Sequence, residues 1–288
     1  MSDKRATIIY NPMSGRPGRR AEDVQRMIGL LGERGIEADA KATAGPGDAS
    51  KLAREAVAGV DIVISFGGDG TLNEVIQGMA GSHTALVVWP GGTSNVVARD
   101  LEVPFDIKEL ADMIAAGKTR RIALGLALGD GGQGLGASPN RLAIQPPTPS
   151  PQPLRRYFVM MAGIGLDASI ARGVNKKLKR RTGEFAYWLS GIRHLFLWRA
   201  EPFSIEVDGH SYKGAFALIG NGKGYGGGMM MTPGARLEEP WFEVYILPPL
   251  TNNFAYLRAL RACMRGKPEV AGVSLVRGKH IKANSAHE

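Results

Sequence analysis

The chain has 288 residues, 44% hydrophobic and 22% charged, so it can bury a core and is not globally disordered. At roughly 100 to 200 residues per domain, this length predicts one large domain or two ordinary ones. The sequence contains no apolar run near the roughly 20 residues of a membrane-spanning helix, and its start lacks the apolar stretch of a signal peptide. The single cysteine, Cys263, excludes an internal disulfide. We therefore expect a cytoplasmic protein, whose formal charge of +9 favours anionic partners without identifying one.

The first 116 residues alternate between short apolar runs, typical of buried strands, and segments with helical spacing. The predicted strands cover residues 7–10, 36–43, 61–66 and 85–89, and the predicted helices cover 22–34 and 49–57. This alternation predicts an α/β domain with a mostly parallel sheet. Because ligands of such sheets bind beyond the carboxyl ends of the strands, the turns that follow the strands are the first candidates for a site.

Residues 129–153 differ in composition, since they hold six of the 17 prolines and no aromatic residue. Such a segment is predicted to be a disordered surface insertion. Strand signals dominate beyond it, at 157–162, 203–207, 215–220 and 242–247, with helical patterns at 184–198 and 252–265 and a hairpin turn at Asp208-Gly209. We predict an α/β domain over residues 1–122 and a β-rich, sandwich-like domain over residues 123–288.

The strongest chemical signal is Gly67-Gly68-Asp69-Gly70-Thr71, which follows a predicted buried strand. Glycines let a backbone approach a ligand closely, and the amides of the following helix, with Thr71 as its predicted cap, favour an anion. Two further turns, at residues 11–15 and 90–95, follow the first and fourth predicted strands. Three such turns at one sheet edge favour a phosphate-binding face. The alternative is a set of ordinary turns in which Asp69 is structural.

Taken together, these motifs resemble the diacylglycerol kinase catalytic family, specifically the bacterial lipid kinases, whose domain sphingosine and ceramide kinases share. The resemblance rests on residues 11–15, Thr43 with 47–49, and the segments 67–73, 90–95 and 163–168, and it covers essentially the whole chain. It implies that residues 1–122 form the nucleotide-binding domain, that residues 123–288 form the lipid-substrate domain, and that the site lies between the two. The implied reaction is transfer of the γ-phosphoryl group of ATP, with Mg²⁺, to a lipid hydroxyl. Diacylglycerol or a related glycerolipid is the implied substrate. By resemblance, the residues that contact ATP would be Asn11, Pro12, Met13, Ser14, Gly15, Thr43, Gly67, Gly68, Asp69, Gly70, Thr71, Leu72, Asn73 and Thr93.

Two acidic residues are the catalytic candidates that the resemblance implies. Asp69 would organise the phosphate loop and the metal, and Asp167 would lie near the lipid head group or the catalytic network, with a helix-capping role as its alternative. Family members usually continue into an Asp-Gly-Glu motif whose Asp is taken as the general base, whereas this sequence ends at Glu288 without one. The sequence is then either a truncated enzyme or a protein without the usual base. A non-catalytic module that binds nucleotide or lipid is the second hypothesis, and a soluble-substrate kinase, such as an NAD kinase, is the third.

The resemblance also implies a structural magnesium site in the second domain. Glu239 would be the side-chain ligand, and the carbonyls of Arg236 and Trp241 would complete the protein ligands. The sequence departs from the family pattern twice, with Glu239 in place of an Asp and Pro240 in place of a Gly. Because Mg²⁺ demands near-octahedral geometry and proline fixes φ, a solvated acidic turn is the alternative.

A basic run at residues 172–181 precedes an aromatic-rich segment at 185–198. Basic side chains are attracted to anionic lipid surfaces, and Trp and Tyr favour the membrane interface. We therefore expect peripheral contact with an anionic membrane, with a solvated loop and a core helix as the alternatives. The sequence has no signature of a nucleic-acid-binding fold, so nucleic acid is not an expected partner. It leaves the oligomeric state open.

Overall fold

The structure is a computed structural model that describes residues 4–14, 18–129, 154–165, 202–225, 229–249, 253–270 and 272–285. The chain divides into two compact units, Met1–Arg121 and Ile122–Glu288. Several predictions lie outside the described residues, namely those on Gly15, on all of the 129–153 insertion beyond Gly129, on Asp167, on the basic run and on the aromatic-rich segment.

The first unit is built on a four-stranded parallel sheet of order β2-β1-β3-β4, which confirms the predicted α/β architecture. Its strands are β1 (Lys4–Tyr10), β2 (Ile36–Ala42), β3 (Ile62–Gly67) and β4 (Ala85–Pro90). Its helices are α1 (Arg20–Gly32), α2 (Asp48–Ala56), α3 (Asp69–Met79), α4 (Val96–Asp100) and α5 (Ile107–Ala116). The chain runs from β1 to β2 on one side and then to β3 on the other, so the connections reverse direction between β1 and β3.

Both faces of this sheet are covered by helices. In β1, Ile8 packs into the cluster that contains residues of α1 and α5, whereas Ile9 packs against α2 and α3. In β3, Ile64 and Val63 divide between the two faces in the same way. Parallel strands buried on both faces read as continuous apolar runs, which is why the sequence signals for these strands were strong.

The second unit is antiparallel and β-rich, as predicted. One sheet has the order β14-β13-β10-β7 and a second has the order β15-β8-β9. The remaining described strands form the pairs β5-β6 and β11-β12. The elements are β5 (Gly125–Gly129), β6 (Leu154–Phe158), β7 (Met161–Gly165), β8 (Phe203–Val207), β9 (His210–Gly214), β10 (Phe216–Gly220), β11 (Gly224–Tyr225), β12 (Met229–Met230), β13 (Phe242–Leu247), α6 (Asn253–Met264), β14 (Ser274–Gly278) and β15 (Ile281–Ser285).

The four-stranded sheet of this unit is buried on both faces. Ile219 and Ile246 pack against Ile205 of the three-stranded sheet, which makes the sandwich. On the opposite face, Leu218 and Tyr245 share a cluster with residues of α6. Burial raises the pKa of the Tyr245 hydroxyl well above its usual value, consistent with a side chain that serves packing.

Two local predictions in this unit had different outcomes. The hairpin turn is confirmed, because Asp208 and Gly209 both adopt positive φ, 45° and 86°, between β8 and β9. The single strand predicted over residues 157–162 is wrong. The chain bends at residues 159–160, so that β6 pairs with β5 while β7 pairs with β10 of another sheet.

Among the helices within the described ranges, none is long and apolar enough to cross a lipid bilayer.

Candidate functional site

Four loops leave the carboxyl edge of the parallel sheet of the first unit. We number them by their strands: loop 1 (residues 11–14), loop 2 (43–47), loop 3 (residue 68, leading directly into α3) and loop 4 (91–95). Backbone hydrogen bonds join neighbouring loops and strands, from Asn11 N–H to the Phe66 carbonyl (3.2 Å) and from Thr43 N–H to the Tyr10 carbonyl (2.9 Å). The predicted segments of this unit are therefore brought to one edge, and loops 1 and 3 flank the point where the connections reverse, the usual ligand position in such sheets.

Loops 3 and 4 touch through their glycines. The N–H of Gly91 donates to the carbonyl of Gly67 at 2.8 Å. A Cβ atom on Gly92 would lie 2.5 Å from the Cα of Gly68 and 3.2 Å from Oδ1 of Asn95. A side chain at position 92 would thus force two backbones apart. The glycine requirement here has a cause that the sequence did not reveal, namely the close approach of two loops.

Helix α3 begins at Asp69, three residues earlier than a helix capped by Thr71 would begin. Gly68 is its extended N-cap residue and no side chain caps it. The predicted capping role of Thr71 is therefore wrong, because this residue lies within the first turn and its side chain is buried. The N-terminus of an 11-residue helix thus lies at the sheet edge with no side-chain cap. Its amide groups and dipole favour an anion.

The carboxylate of Asp69 connects α3 to the next helix, because its Oδ1 accepts a hydrogen bond from the N–H of Val96 at 2.8 Å. Asp69 is half-buried. Asn95 fixes loop 4 in a similar way, since its side chain accepts from Gly92 N–H at 2.8 Å and donates to the Gly92 carbonyl at 2.9 Å. Part of the role of Asp69 is therefore to position the start of α4, in agreement with the alternative in which Asp69 is structural.

The other predicted contact residues differ in what they present at this edge. In loop 1, Asn11 Oδ1 accepts from Met13 N–H at 2.9 Å, and the Ser14 hydroxyl donates to the Asn11 carbonyl at 2.9 Å. Met13 and Thr93 are exposed. The side chain of Leu72 is 3% exposed and packs in the interior, so at most its backbone could serve a ligand. The remaining predicted residues lie at the same edge and differ in exposure. Gly70 is exposed, Gly67 and Thr71 are buried, and the half-buried ones are Pro12, Thr43, Gly68 and Asn73.

Arg20 is a residue of this edge that the sequence reasoning missed. Its Nε donates to the Ser14 carbonyl at 2.8 Å, and its Nη2 donates to the Gly91 carbonyl. The guanidinium lies 4.1 Å from the centre of the Phe66 ring, and Phe66 in turn stacks on Trp89. Burial lowers the pKa of this guanidinium, an effect partly offset by Asp23. A signal for it existed, because Arg20 precedes Val24, Met27 and Leu31 on the buried face of α1.

The magnesium site that the resemblance implies at Glu239, with the carbonyls of Arg236 and Trp241, stays a prediction, and the contacts of the turn bear on it only indirectly. The Arg236 carbonyl accepts the N–H of Glu239 at 3.1 Å, and the Arg236 guanidinium lies 4.0 Å from the Glu239 carboxylate. The charge of this exposed arginine would compete with a cation for the Glu239 carboxylate. Trp241 packs under Arg277, 4.4 Å from its guanidinium carbon to the ring centre. Within the described ranges, no group of three or more His, Cys, Asp or Glu side chains is arranged to hold a metal ion.

Comparison with solved structures identifies the fold. A diacylglycerol kinase from Bacillus anthracis str. Sterne matches with a TM-score of 0.73 and 23% identity, covering 100% of this chain and 88% of that chain. A second crystal structure from the same organism gives a TM-score of 0.74 at 23% identity with the same coverage. At this level of identity the likeness defines the class of structure: an α/β unit followed by a β-sandwich unit.

Comparison with sequence families and curated proteins defines the family. The model of the diacylglycerol kinase catalytic domain matches residues 5–127, and that of the YegS C-terminal NAD kinase beta sandwich-like domain matches residues 160–288. The diacylglycerol kinase of Bacillus subtilis (strain 168) is 32% identical over 270 residues, which are 92% of this chain and 80% of that protein. That of Staphylococcus aureus (strain bovine RF122 / ET3-1) is 32% identical over 249 residues, 85% and 70% of the two chains. The chain belongs to the diacylglycerol kinase family, as its motifs suggested.

Proposed function

We propose that this protein is an ATP-dependent lipid kinase that transfers the γ-phosphoryl group to a lipid hydroxyl, with diacylglycerol or a related glycerolipid as its substrate. The observation that carries the proposal is the uncapped N-terminus of α3, directly after Gly67 and Gly68 and beside loops 1 and 4, in a member of this family. The relatives named diacylglycerol kinase support the lipid acceptor.

The proposed role of this edge is to hold the nucleotide phosphates. Phosphoryl transfer depends mostly on positioning and charge neutralisation, so backbone amides and small side chains suffice for much of the work. The first-turn amides of α3 would bind phosphate oxygens, and the exposed Thr93 side chain is available from loop 4. Mg²⁺ that accompanies ATP would neutralise phosphate charge. Asp69 accepts the Val96 amide through one oxygen, and we assign it as the acidic side chain beside the nucleotide phosphates and their Mg²⁺.

The proposals for the lipid acceptor rest on the sequence alone. A catalytic role for Asp167 and peripheral docking on an anionic membrane remain predictions, since they concern residues outside the described ranges. General-base assistance is typically worth about 10²- to 10⁴-fold in rate, so its presence is measurable as turnover.

The test is transfer of labelled γ-phosphate from ATP-Mg to acceptors in mixed micelles. The panel contains diacylglycerol, sphingosine, ceramide and phosphatidylglycerol, with NAD as the soluble acceptor. A labelled product from diacylglycerol would support the proposal, whereas a labelled product from another lipid would identify that lipid as the substrate. Labelling of NAD alone would make the chain a soluble-substrate kinase. ATP binding with no labelled product from any acceptor would instead favour a binding module.

A further inference from the structure

The side chain of Arg20 hydrogen-bonds to both loop 1 and loop 4. Its fork reaches the Ser14 carbonyl in loop 1 and the Gly91 carbonyl in loop 4, two positions far apart in sequence. We propose that Arg20 is a positioning residue for the nucleotide phosphates, which sets the spacing between loops 1 and 4 without touching the ligand. This inference rests on the function proposed above and adds a residue to it.

The geometry calls for arginine in particular. A guanidinium presents several donors in one rigid plane. Here its central carbon lies 4.1 Å from the centre of the Phe66 ring, and Phe66 stacks on Trp89 with 3.6 Å between ring centres. Arg20 is 7% exposed. A side chain so buried is not arranged to bind solvent or substrate. Its hydrogen bonds go instead to two backbone carbonyls whose loops surround the proposed phosphate position.

Loop 4 is held to loop 3 independently of Arg20. The bond from Gly91 N–H to Gly67 and that from Val96 N–H to Asp69 both fix loop 4 against the start of α3. Loop 1 has one backbone bond to this framework, from Asn11 to Phe66, in addition to the Arg20 bond at Ser14. Without the guanidinium, the distal part of loop 1 loses a connection to loop 4, so we expect the phosphate site to loosen rather than the sheet to unfold.

Gly91 offers a way to disturb the same contact from the other side. A Cβ atom on this residue would collide with the guanidinium of Arg20. The obstacle is the end of a flexible side chain, and the φ of Gly91 is not in the left-handed region, so Gly91→Ala is expected to fold and to displace Arg20. It should therefore reproduce the effect of changing Arg20 itself.

The test compares Arg20→Lys and Gly91→Ala with the matched control Arg19→Lys. Arg19 is adjacent and exposed, and its side chain does not cap α1. For the first two variants we expect the KM for ATP to rise on the order of 10- to 100-fold, the size of effect that a 1 Å misplacement produces. The KM for the lipid acceptor should stay unchanged. The double variant Arg20→Lys/Gly91→Ala should be no more impaired than the more impaired of the two single variants, because both changes disrupt the same contact.

Several results would overturn the inference. One is a KM for ATP in Arg20→Lys and Gly91→Ala equal to that of Arg19→Lys. Another is a parallel rise in the KM for both substrates that tracks a lowered thermal midpoint, which would indicate a general structural role. If Arg20→Lys does not fold, Gly91→Ala alone decides the matter by the same KM comparison. Failure of the proposed function is distinguishable, because it shows in the unmodified protein as absent nucleotide binding or absent transfer.

Discussion

The two units place polar groups in different ways. In the first unit, Asp69 and Asn95 use their side chains to bond backbone amides of loops at one sheet edge. In the second unit, buried polar side chains join strands and turns within the interior. Asn221 donates to the carbonyls of Ala123 and Val159, both at 2.8 Å, and Thr232 donates to that of Gly222 at 2.8 Å. The difference indicates that substitutions at the sheet edge should change activity, whereas those in the described part of the second unit should change stability.

The largest effect on activity is expected from Gly92→Ala. The added Cβ would meet the backbone of Gly68, so loops 3 and 4 must separate where the phosphates are proposed to bind. We expect kcat/KM for ATP to fall by about 100-fold. The measurement is steady-state transfer at varied ATP concentration. Gly29→Ala on α1 is the control, since a Cβ there has no atom within 4 Å. Equal activity of the two variants would contradict this account.

A smaller effect is expected from Asp69→Asn, which keeps an acceptor for the Val96 amide and loses the charge. Hydrogen bonds to charged groups are roughly twice as strong as neutral ones, so we expect a loss on the order of tenfold in kcat/KM. Asp69→Ala removes the acceptor as well and should lose more activity than Asp69→Asn, but less than Gly92→Ala. If the two variants are equally impaired, the hydrogen bond to Val96 is not what Asp69 contributes, and its charge is the essential feature.

Leu218→Ala tests the expectation that substitutions in the second unit change stability rather than activity. Leu218 of β10 is fully buried in the cluster that contains residues of α6, and truncation of such a leucine costs about 2 to 5 kcal/mol of unfolding free energy. Denaturant unfolding should report that loss. The affinity for ATP, measured below the unfolding transition, should match that of the unmodified protein. A weakened affinity in a folded sample would show that the interior of the second unit is coupled to the nucleotide site.

The smallest effect on activity is expected from Asp106→Ala, with a pH dependence in stability. Asp106 caps α5, and bonds from the amides of Glu109 and Lys108 hold its pKa below the usual range. A carboxyl whose pKa is lower in the folded state stabilises above its unfolded pKa and loses that contribution as pH falls through the folded value. The variant should therefore melt at lower temperature than the unmodified protein at pH 7. The gap should narrow as the pH falls below about 3.9, the unfolded pKa of Asp, and should be smallest below the lower pKa of the folded state.

The control for this last variant is Asp39→Ala, at an exposed position of β2. Its melting temperature should follow that of the unmodified protein across the same pH range. A difference between Asp106→Ala and the unmodified protein that persists unchanged in acid would mean that the cap contributes through something other than the carboxylate charge.

Much of the fold was predictable because burial on both faces produces continuous apolar runs. The strands β3 and β13 were found within one residue of their observed bounds for this reason. The sequence offered no such signal at residues 159–160, where Val159 and Met160 are apolar and buried although the chain bends between sheets. Strand β14 was also missed, since Ser274–Gly278 is short and mixed in polarity.

The site was predictable in its parts and not in its connections. Glycine-rich turns at strand ends indicated a phosphate-binding edge, because that inference needs only local sequence. The contact of Gly68 with Gly92 and the bond of Asp69 to Val96 depend on which loops become neighbours. Arg20 could have been found from its place on the buried face of α1, but its partners in two distant loops could not.

Hydrogen–deuterium exchange with and without ATP-Mg tests the central claim most directly, because it reports every segment of the same molecule. We expect nucleotide to protect the amides of residues 67–73 and 91–95, at the carboxyl edge of the parallel sheet. The strands β10 and β13 should exchange at unchanged rates. Protection that leaves 67–73 unaffected, or no protection at concentrations of ATP that support transfer, would contradict the account.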